Sequence, residues 1–191
     1  MLKAIKMADI KVSDEELMTG FLEVFRKRGY EGASLEELAS ASGLKKSSLY
    51  HRFPGGKKQM AEGVLVFTSK WVGRNITSIL KGEGDPIVRL KTALKNTNEF
   101  YAGGKNACVL RTLSMSTGLS LFGQPISRAF ENLISSFTKL AIDFGHAPKE
   151  ATKLAEDTVI RIQGGLIVSK GTGNLNIFKR ILSDIEKSLI K

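Results

Sequence analysis

The residues best suited to binding chemistry lie in one short stretch, residues 45–52, which reads KKSSLYHR. Lysine, serine, tyrosine and histidine side chains donate hydrogen bonds to phosphate oxygens and to the edges of DNA bases. Leu49 and Phe53 are the apolar exceptions, and a spacing of four residues places them on one side of a helix. The stretch therefore predicts a short helix whose polar side is free to read duplex DNA.

Positive charge is concentrated around this stretch. Residues 26–58 hold eight lysines and arginines against three glutamates, and this excess of five is half of the formal net charge of +10. Such a balance favours anionic partners, which include nucleic acid, an acidic membrane surface or an anionic ligand. The concentration near residues 45–52 favours nucleic acid among these.

Two capping boxes define the helices that would position this stretch. Ser13 and Glu16 open a helix that Gly29 is expected to stop, and Ser34 and Glu37 open a second, shorter helix that Gly43 ends. A short third helix over residues 45–52 completes a helix-turn-helix, in which the second helix of the pair enters the major groove. Gly43 suits the turn because a positive φ costs glycine little.

The rest of the chain also has helical periodicity, broken by prolines and paired glycines. Further helices are predicted over residues 57–80, 86–102, 107–119, 125–144, 148–169 and 175–189. The fold class is therefore all-α, with about nine helices. A three-helix helix-turn-helix domain over residues 1–56 precedes a helical bundle over residues 57–191.

Several classes of function are excluded by what the sequence lacks. One cysteine and two distant histidines, His51 and His146, form neither a disulfide nor a zinc motif, so we expect no metal and no cofactor. No nucleophile elbow or phosphate loop is present, so we expect no enzyme activity. Without a signal peptide or an apolar run long enough to cross a membrane, we expect a cytoplasmic protein that does not contact membranes.

The N-terminal arm, with Lys3, Lys6 and Lys11, is expected to be frayed.

Three segments, FLEVFRKRGY (21–30), SLEELA (34–39) and GLKKSSLYHRFPGGK (43–57), together resemble the N-terminal domain of the TetR family of transcriptional repressors. The resemblance implies base contacts from Lys45, Lys46 and Ser47, and phosphate contacts from Ser48, Tyr50 and Lys57. Ser34 is chiefly an N-cap and secondarily a phosphate contact, and His51 is a further candidate. The chain departs from the family pattern in the Pro-Gly-Gly turn and at Arg52. That turn and residues 104–110 are similar to the LmrA/YxaF branch, whose members respond to small, often aromatic compounds.

Large apolar residues in the second half suggest a core with a ligand cavity, and the resemblance raises the expectation of a cavity. Gln163 and Arg111 are candidate polar anchors for a ligand. The predicted ligand-binding residues are Phe67, Trp71, Phe100, Cys108, Met115, Phe122, Phe130 and Phe137.

Apolar stripes on the last two predicted helices suggest self-association, although packing within one chain would produce the same pattern. By resemblance, these helices from two subunits form a four-helix interface about a two-fold axis. The predicted dimer residues are Leu154, Thr158, Ile162, Gly165, Leu166, Phe178, Ile181, Leu182 and Ile185.

The sequence thus predicts a homodimeric, ligand-responsive repressor that binds a near-palindromic operator and is released by a small hydrophobic effector. Two alternatives remain. One is a helical module that binds a small molecule or a protein and docks an acidic partner, without binding DNA. The other is an enzyme that uses Cys108, which would require a thiol that alkylates rapidly at neutral pH.

Overall fold

The computed structural model of the chain describes residues 12–190, so the predicted N-terminal arm with Lys3, Lys6 and Lys11 lies outside the described residues. Those residues form α-helices with no strand among them, which confirms the predicted fold class. If α4, a π-helical turn over Gly73–Thr77 and α5 are counted as one continuous helix, the described part has nine helices. The helices are α1 Asp14–Gly32, α2 Leu35–Ser42, α3 Lys46–Arg52, α4 Gly56–Val72, α5 Ser78–Lys81, α6 Pro86–Phe100, α7 Val109–Leu113, α8 Thr117–Asp143, α9 Pro148–Thr172 and α10 Asn176–Leu189.

Both predicted capping boxes are confirmed. The backbone N–H of Glu16 donates to Ser13 Oγ at 3.2 Å, and that of Glu37 donates to Ser34 Oγ at 3.1 Å. Each glutamate accepts a return bond from its serine backbone N–H. These bonds satisfy N–H groups that the first turn of a helix leaves without partners.

Two glycines shape the helix-turn-helix as the sequence predicts. Gly43 has φ +67° and ends α2 with its N–H bonded to the carbonyls of Ala39 and Ser40. Gly29 has φ +68° and breaks the helical backbone of α1, although helical turns continue to Gly32. A side chain in this region of backbone space would be strained, so both positions favour glycine.

One predicted helix boundary is wrong. The helix expected to begin at Pro125 begins at Thr117 instead, and the helix predicted over residues 107–119 ends at Leu113. The break between α7 and α8 contains Ser116, whose φ of +52° cannot continue a helix. Pro125 lies inside α8, where it leaves the Leu121 carbonyl without its helical donor; Leu121 is exposed, so water can supply a replacement.

The hydrophobic core is continuous from α1 to α10. Phe21 and Phe25 of α1, Met60 of α4, Phe137 of α8 and Phe178 of α10 are all fully buried within it. Helices α1 and α4 therefore pack directly on α7 and α8, and α4 belongs to both parts. The division at residue 56 stays a prediction.

No helix among residues 12–190 is both long enough and apolar enough to cross a membrane.

Candidate functional site

The polar side of α3 is exposed. Leu49 is fully buried and holds the helix on the core, as the sequence predicts. Ser47, Ser48, Tyr50 and His51 are exposed, and their side chains have no hydrogen-bond partner among the described residues. Unpaired donors on an exposed helix face are available to a ligand, so the geometry suits the reading role that the sequence suggests for α3.

Charged neighbours border this surface. Lys45 is exposed at the start of α3, whereas Lys46 pairs with Glu36 of α2 at 3.2 Å. Both partners of that pair are more than half exposed, so the ion pair is weak and can be exchanged for another anion. Arg52 at the other end of α3 pairs with Asp14 of α1.

Two of the predicted DNA contacts have structural roles in the free chain. The Ser34 hydroxyl is used by its capping box, and it also donates to Glu37 at 3.1 Å. Lys57 Nζ donates to the backbone carbonyls of Glu31 at 3.3 Å and Ala33 at 3.0 Å. Lys57 therefore ties the start of α4 to the turn between α1 and α2.

A small cavity of about 50 Å³ lies among α4, α6, α8 and α9, next to the start of α7. Its lining includes Thr68, Phe100, Tyr101, Cys108, Leu133 and Gln163. Lysine, arginine, aspartate and glutamate are absent from its lining in the described part of the chain. The lining chemistry, apolar with a few polar groups and no charge, matches an uncharged small molecule, but the cavity would have to expand to hold one, since ligand pockets are typically about 300–1,000 Å³.

Tyr101, Cys108, Gln163 and Thr68 contribute polar groups to the lining of this cavity. Burial, followed by the neighbouring Cys108 thiol, raises the pKa of the Tyr101 hydroxyl well above its ordinary range, so the phenol stays neutral at physiological pH. Gln163 also bonds Tyr101, yet Gln163 Oε1 and Thr68 Oγ1 are buried without partners. A buried polar atom without a partner costs free energy, which a bound donor could recover.

The residues predicted to bind a ligand lie in several different places, and only some of them line the cavity. Of the predicted residues, Phe100 and Cys108 line the cavity, together with the candidate anchor Gln163. Phe122 and Phe137 are buried core residues, Phe130 packs against the core, and Met115 and Arg111 line a surface groove. Phe67 and Trp71 line another open groove beside α1, although Trp71 also stacks on Phe100 with ring centroids 4.4 Å apart. Periodicity identifies the buried side of a helix but does not tell which buried side chains border an empty space.

Most of the predicted dimer residues lie inside their own chain. Phe178, Ile185, Leu182, Thr158, Ile162 and Leu166 are buried inside their own chain, and Leu154 and Ile181 are partly buried. A Cβ at Gly165 would lie 2.9 Å from Ile181 Cδ1 and 3.4 Å from Phe178 Cδ2, so Gly165 permits close packing of α10 on α9 within one chain. Much of the two stripes therefore packs within one chain, and a dimer interface on these helices stays a prediction.

The sequence did not lead us to predict that Arg26 contacts the wall of the cavity. It is 7% exposed, its Nη2 donates to the Phe100 carbonyl at 3.3 Å, and its guanidinium lies over the Phe100 ring. Arg26 follows Leu22 by four residues and so falls on the apolar side of α1. A charged residue in that position is a sequence signal for a buried ionic contact.

Comparisons with known proteins agree with this arrangement. Residues 18–64, which hold the described helix-turn-helix, match the family model described as bacterial regulatory proteins, tetR family. Two relatives from Bacillus subtilis align over 161 residues, or 82% of the chain. The uncharacterized HTH-type transcriptional regulator YxaF is 24% identical over 84% of its length, and the HTH-type transcriptional regulator LmrA is 23% identical over 86%. Residues 18–64 therefore match the tetR family, and most of the chain is similar to HTH-type transcriptional regulators.

The TetR-family fold extends over nearly the whole chain. A TetR transcriptional regulator from Legionella pneumophila has a TM-score of 0.80 at 16% identity, covering 96% of this chain and 100% of its own. The TetR family regulator CifR, solved with 26-base-pair operator DNA, has a TM-score of 0.72 at 21% identity, covering 94% of this chain and 96% of its own. The helix-turn-helix of this chain matches the tetR family, and the relatives to which the chain is similar are named as transcriptional regulators.

Proposed function

We propose that this chain is a ligand-responsive repressor that binds a near-palindromic operator as a homodimer and releases it when a small, uncharged, mainly apolar effector enters the cavity. One observation carries the proposal. The exposed polar side of α3 belongs to a helix-turn-helix whose α1 contacts the wall of that cavity through Arg26 and Phe100.

DNA would be bound chiefly by residues at and after the start of α3. Lys45, Lys46 and Ser47 lie where a docked reading helix meets base edges, and Lys46 would exchange Glu36 for DNA. Ser48, Tyr50 and His51 would bind phosphate oxygens. Lys57 and Ser34, which already hold the local structure, would add phosphate contacts as the domain docks.

Dimerisation would use the side of α9 that faces away from α10. Ile160, Ile167 and Val168 are 65%, 50% and 47% exposed, and a Cβ at Gly164 or Gly171 would meet nothing within 4 Å. The 3.6-residue period places these residues along one exposed apolar strip of the helix. A second copy of the strip would cover it about a two-fold axis, placing two α3 helices roughly 34–36 Å apart.

Effector binding would act on the segment between α6 and α7. Ala102, Gly103 and Gly104 have φ values of +48°, +67° and +98°, so this segment is held in a backbone conformation that few residues favour. The adjoining Phe100 and Tyr101 line the cavity and Arg26 bonds to Phe100. A ligand that enlarges the cavity would displace Phe100, and Arg26 would transmit the movement to α1.

Selection of bound sequences from random duplex DNA tests the proposal. We expect a two-fold symmetric site whose half-sites are centred about one helical turn apart, 10–10.5 base pairs, or a multiple of that distance. Failure to enrich any sequence would favour a docking module that does not bind DNA. With the selected operator, an effector found among small uncharged aromatic compounds should weaken DNA binding by about 5- to 150-fold.

A further inference from the structure

A second, larger concavity separates the helix-turn-helix from the rest of the chain, and we call it the interdomain groove. It encloses about 820 Å³ and is lined by α1 and α2 on one side and by residues 105–107 and Lys170 on the other. Its volume is in the range of small-molecule sites in proteins. The cavity described above lies on the other side of the segment between α6 and α7, so the two spaces do not share a lining residue.

The groove has an excess of positive charge. Each of its three glutamates is already paired: Glu23 with Arg26 at 3.2 Å, Glu36 with Lys46 at 3.2 Å, and Glu37 with Arg28 at 2.8 Å. Three further cations of the lining form no ion pair within residues 12–190. They are Lys27, Lys105 and Lys170, all exposed.

Arg26 adds a buried cation to the lining. Its side chain is 7% exposed, and its Nε has no hydrogen-bond partner within the described part of the chain. Its two other guanidinium nitrogens bond Glu23 and the Phe100 carbonyl. Because Arg26 is buried and paired with Glu23, the groups left for a bound anion are the three unpaired ammonium groups, which come from both sides of the groove.

We propose that the interdomain groove binds a small phosphorylated molecule, in a site separate from the effector cavity. A phosphate group suits these residues because it carries up to two negative charges and three acceptor oxygens, and lysines bind it as point charges. The groove is open to solvent, and its cations come from both sides, so a compact anion could bind between them. Such a ligand would bridge α1 and α2 to α9.

Titration calorimetry with inorganic tripolyphosphate, without DNA, tests this site. We expect saturable binding of one tripolyphosphate per chain. The combined variant Lys27→Gln, Lys105→Gln and Lys170→Gln should bind about tenfold more weakly or worse, because the effects of three exposed ion pairs multiply. The matched control, Lys70→Gln, Lys149→Gln and Lys179→Gln, removes three exposed charges outside the groove and should bind about as tightly as the parent chain.

Equal weakening in the two triple variants would show that tripolyphosphate responds only to overall charge, and this would overturn the proposal. Absence of saturable binding by the parent chain would do the same. All six lysines are exposed, so both variants should retain the fold, and the circular dichroism of each would verify it.

A parallel titration with random-sequence duplex DNA distinguishes the source of the phosphate. If the groove variant loses affinity for duplex DNA and keeps its affinity for tripolyphosphate, the three lysines bind the DNA backbone and the proposal is wrong. If the affinity for tripolyphosphate falls in the groove variant and not in the control, the small-molecule site is supported, whether or not the affinity for duplex DNA also changes. This outcome does not depend on whether the chain is a repressor, so the two proposals can fail separately.

Discussion

The central guanidinium carbon of Arg26 lies 4.5 Å from the ring centroid of Phe100, and Arg26 Nη2 donates to the carbonyl of the same residue. Arg26 belongs to the helix-turn-helix, whereas Phe100 ends α6 and lines the cavity. This contact joins two residues 74 positions apart in the sequence. It is the most direct link between the cavity and the DNA-binding helices that we identify.

A double-mutant cycle should detect this link. Arg26→Met, Phe100→Leu and the double variant should show an interaction energy of about 1 kcal/mol in urea unfolding, because the cation–π contact exists only when both side chains are present. Pairing Phe100→Leu with Arg128→Met, at an exposed arginine of α8, provides the control and should show additivity. An additive result for the Arg26 cycle would contradict the link.

Removing the charge of Glu36 should tighten DNA binding. In the free chain Glu36 holds Lys46, so Glu36→Gln releases the lysine and also removes an anion that repels the DNA backbone. We expect a gain of about two- to tenfold for all sequences in a gel-shift titration at low salt. Glu83→Gln, in an exposed loop between α5 and α6, should leave the affinity unchanged, and equal gains in both variants would exclude a local effect.

Gly20 is required where α1 crosses α2. A Cβ there would lie 2.2 Å from the Ala41 carbonyl oxygen, which belongs to backbone and cannot rotate away. We expect Gly20→Ala to lower the free energy of unfolding by about 2–3 kcal/mol or more. Gly73→Ala should instead raise it by up to about 1 kcal/mol, because that glycine is helical and has open space around it. Thermal or urea unfolding of the pair measures the difference, and equal effects would be inconsistent with the α1–α2 crossing.

A charge on the exposed strip of α9 should prevent dimerisation. Ile160→Glu and Ile167→Glu would each bury an unpaired carboxylate in a symmetric interface, so sedimentation equilibrium should show monomers. Val88→Glu, at an equally exposed apolar residue of α6, should not alter the association. Dimers that survive both α9 substitutions would place the interface elsewhere.

Acid should weaken the contact between α6 and α8. Burial raises the pKa of Asp143, but hydrogen bonds from Lys139 and from the buried Arg89 outweigh it, and the pKa is lowered from 3.8. A folded-state pKa below the unfolded value gives stability that is present above pH 3.8 and lost as the pH falls through the folded pKa. At neutral pH, Asp143→Asn should cost about 1–3 kcal/mol in urea unfolding. The difference in free energy of unfolding between the variant and the parent should disappear in acid. A difference that does not change with pH would contradict the role assigned to Asp143.

Local signals in the sequence predicted the helix-turn-helix well, since capping boxes, Gly43 and the polar side of α3 depend on residues close together in the chain. The cavity was harder to predict. Phe122 and Phe100 have similar sequence contexts, yet one is core and the other borders the cavity, a difference that depends on packing among distant helices. Phe178 and Ile185 likewise pack within the chain because α10 folds back on α9.

Trp71, which stacks on Phe100, is the single tryptophan of the sequence. Indole emission depends on the polarity and the ring contacts around it, so the intrinsic fluorescence of unlabelled protein comes from a residue that touches the cavity wall. A compound that displaces Phe100 would change the wavelength or the intensity of that emission. The protein therefore contains its own optical probe, with which large compound collections can be screened before any target gene is known.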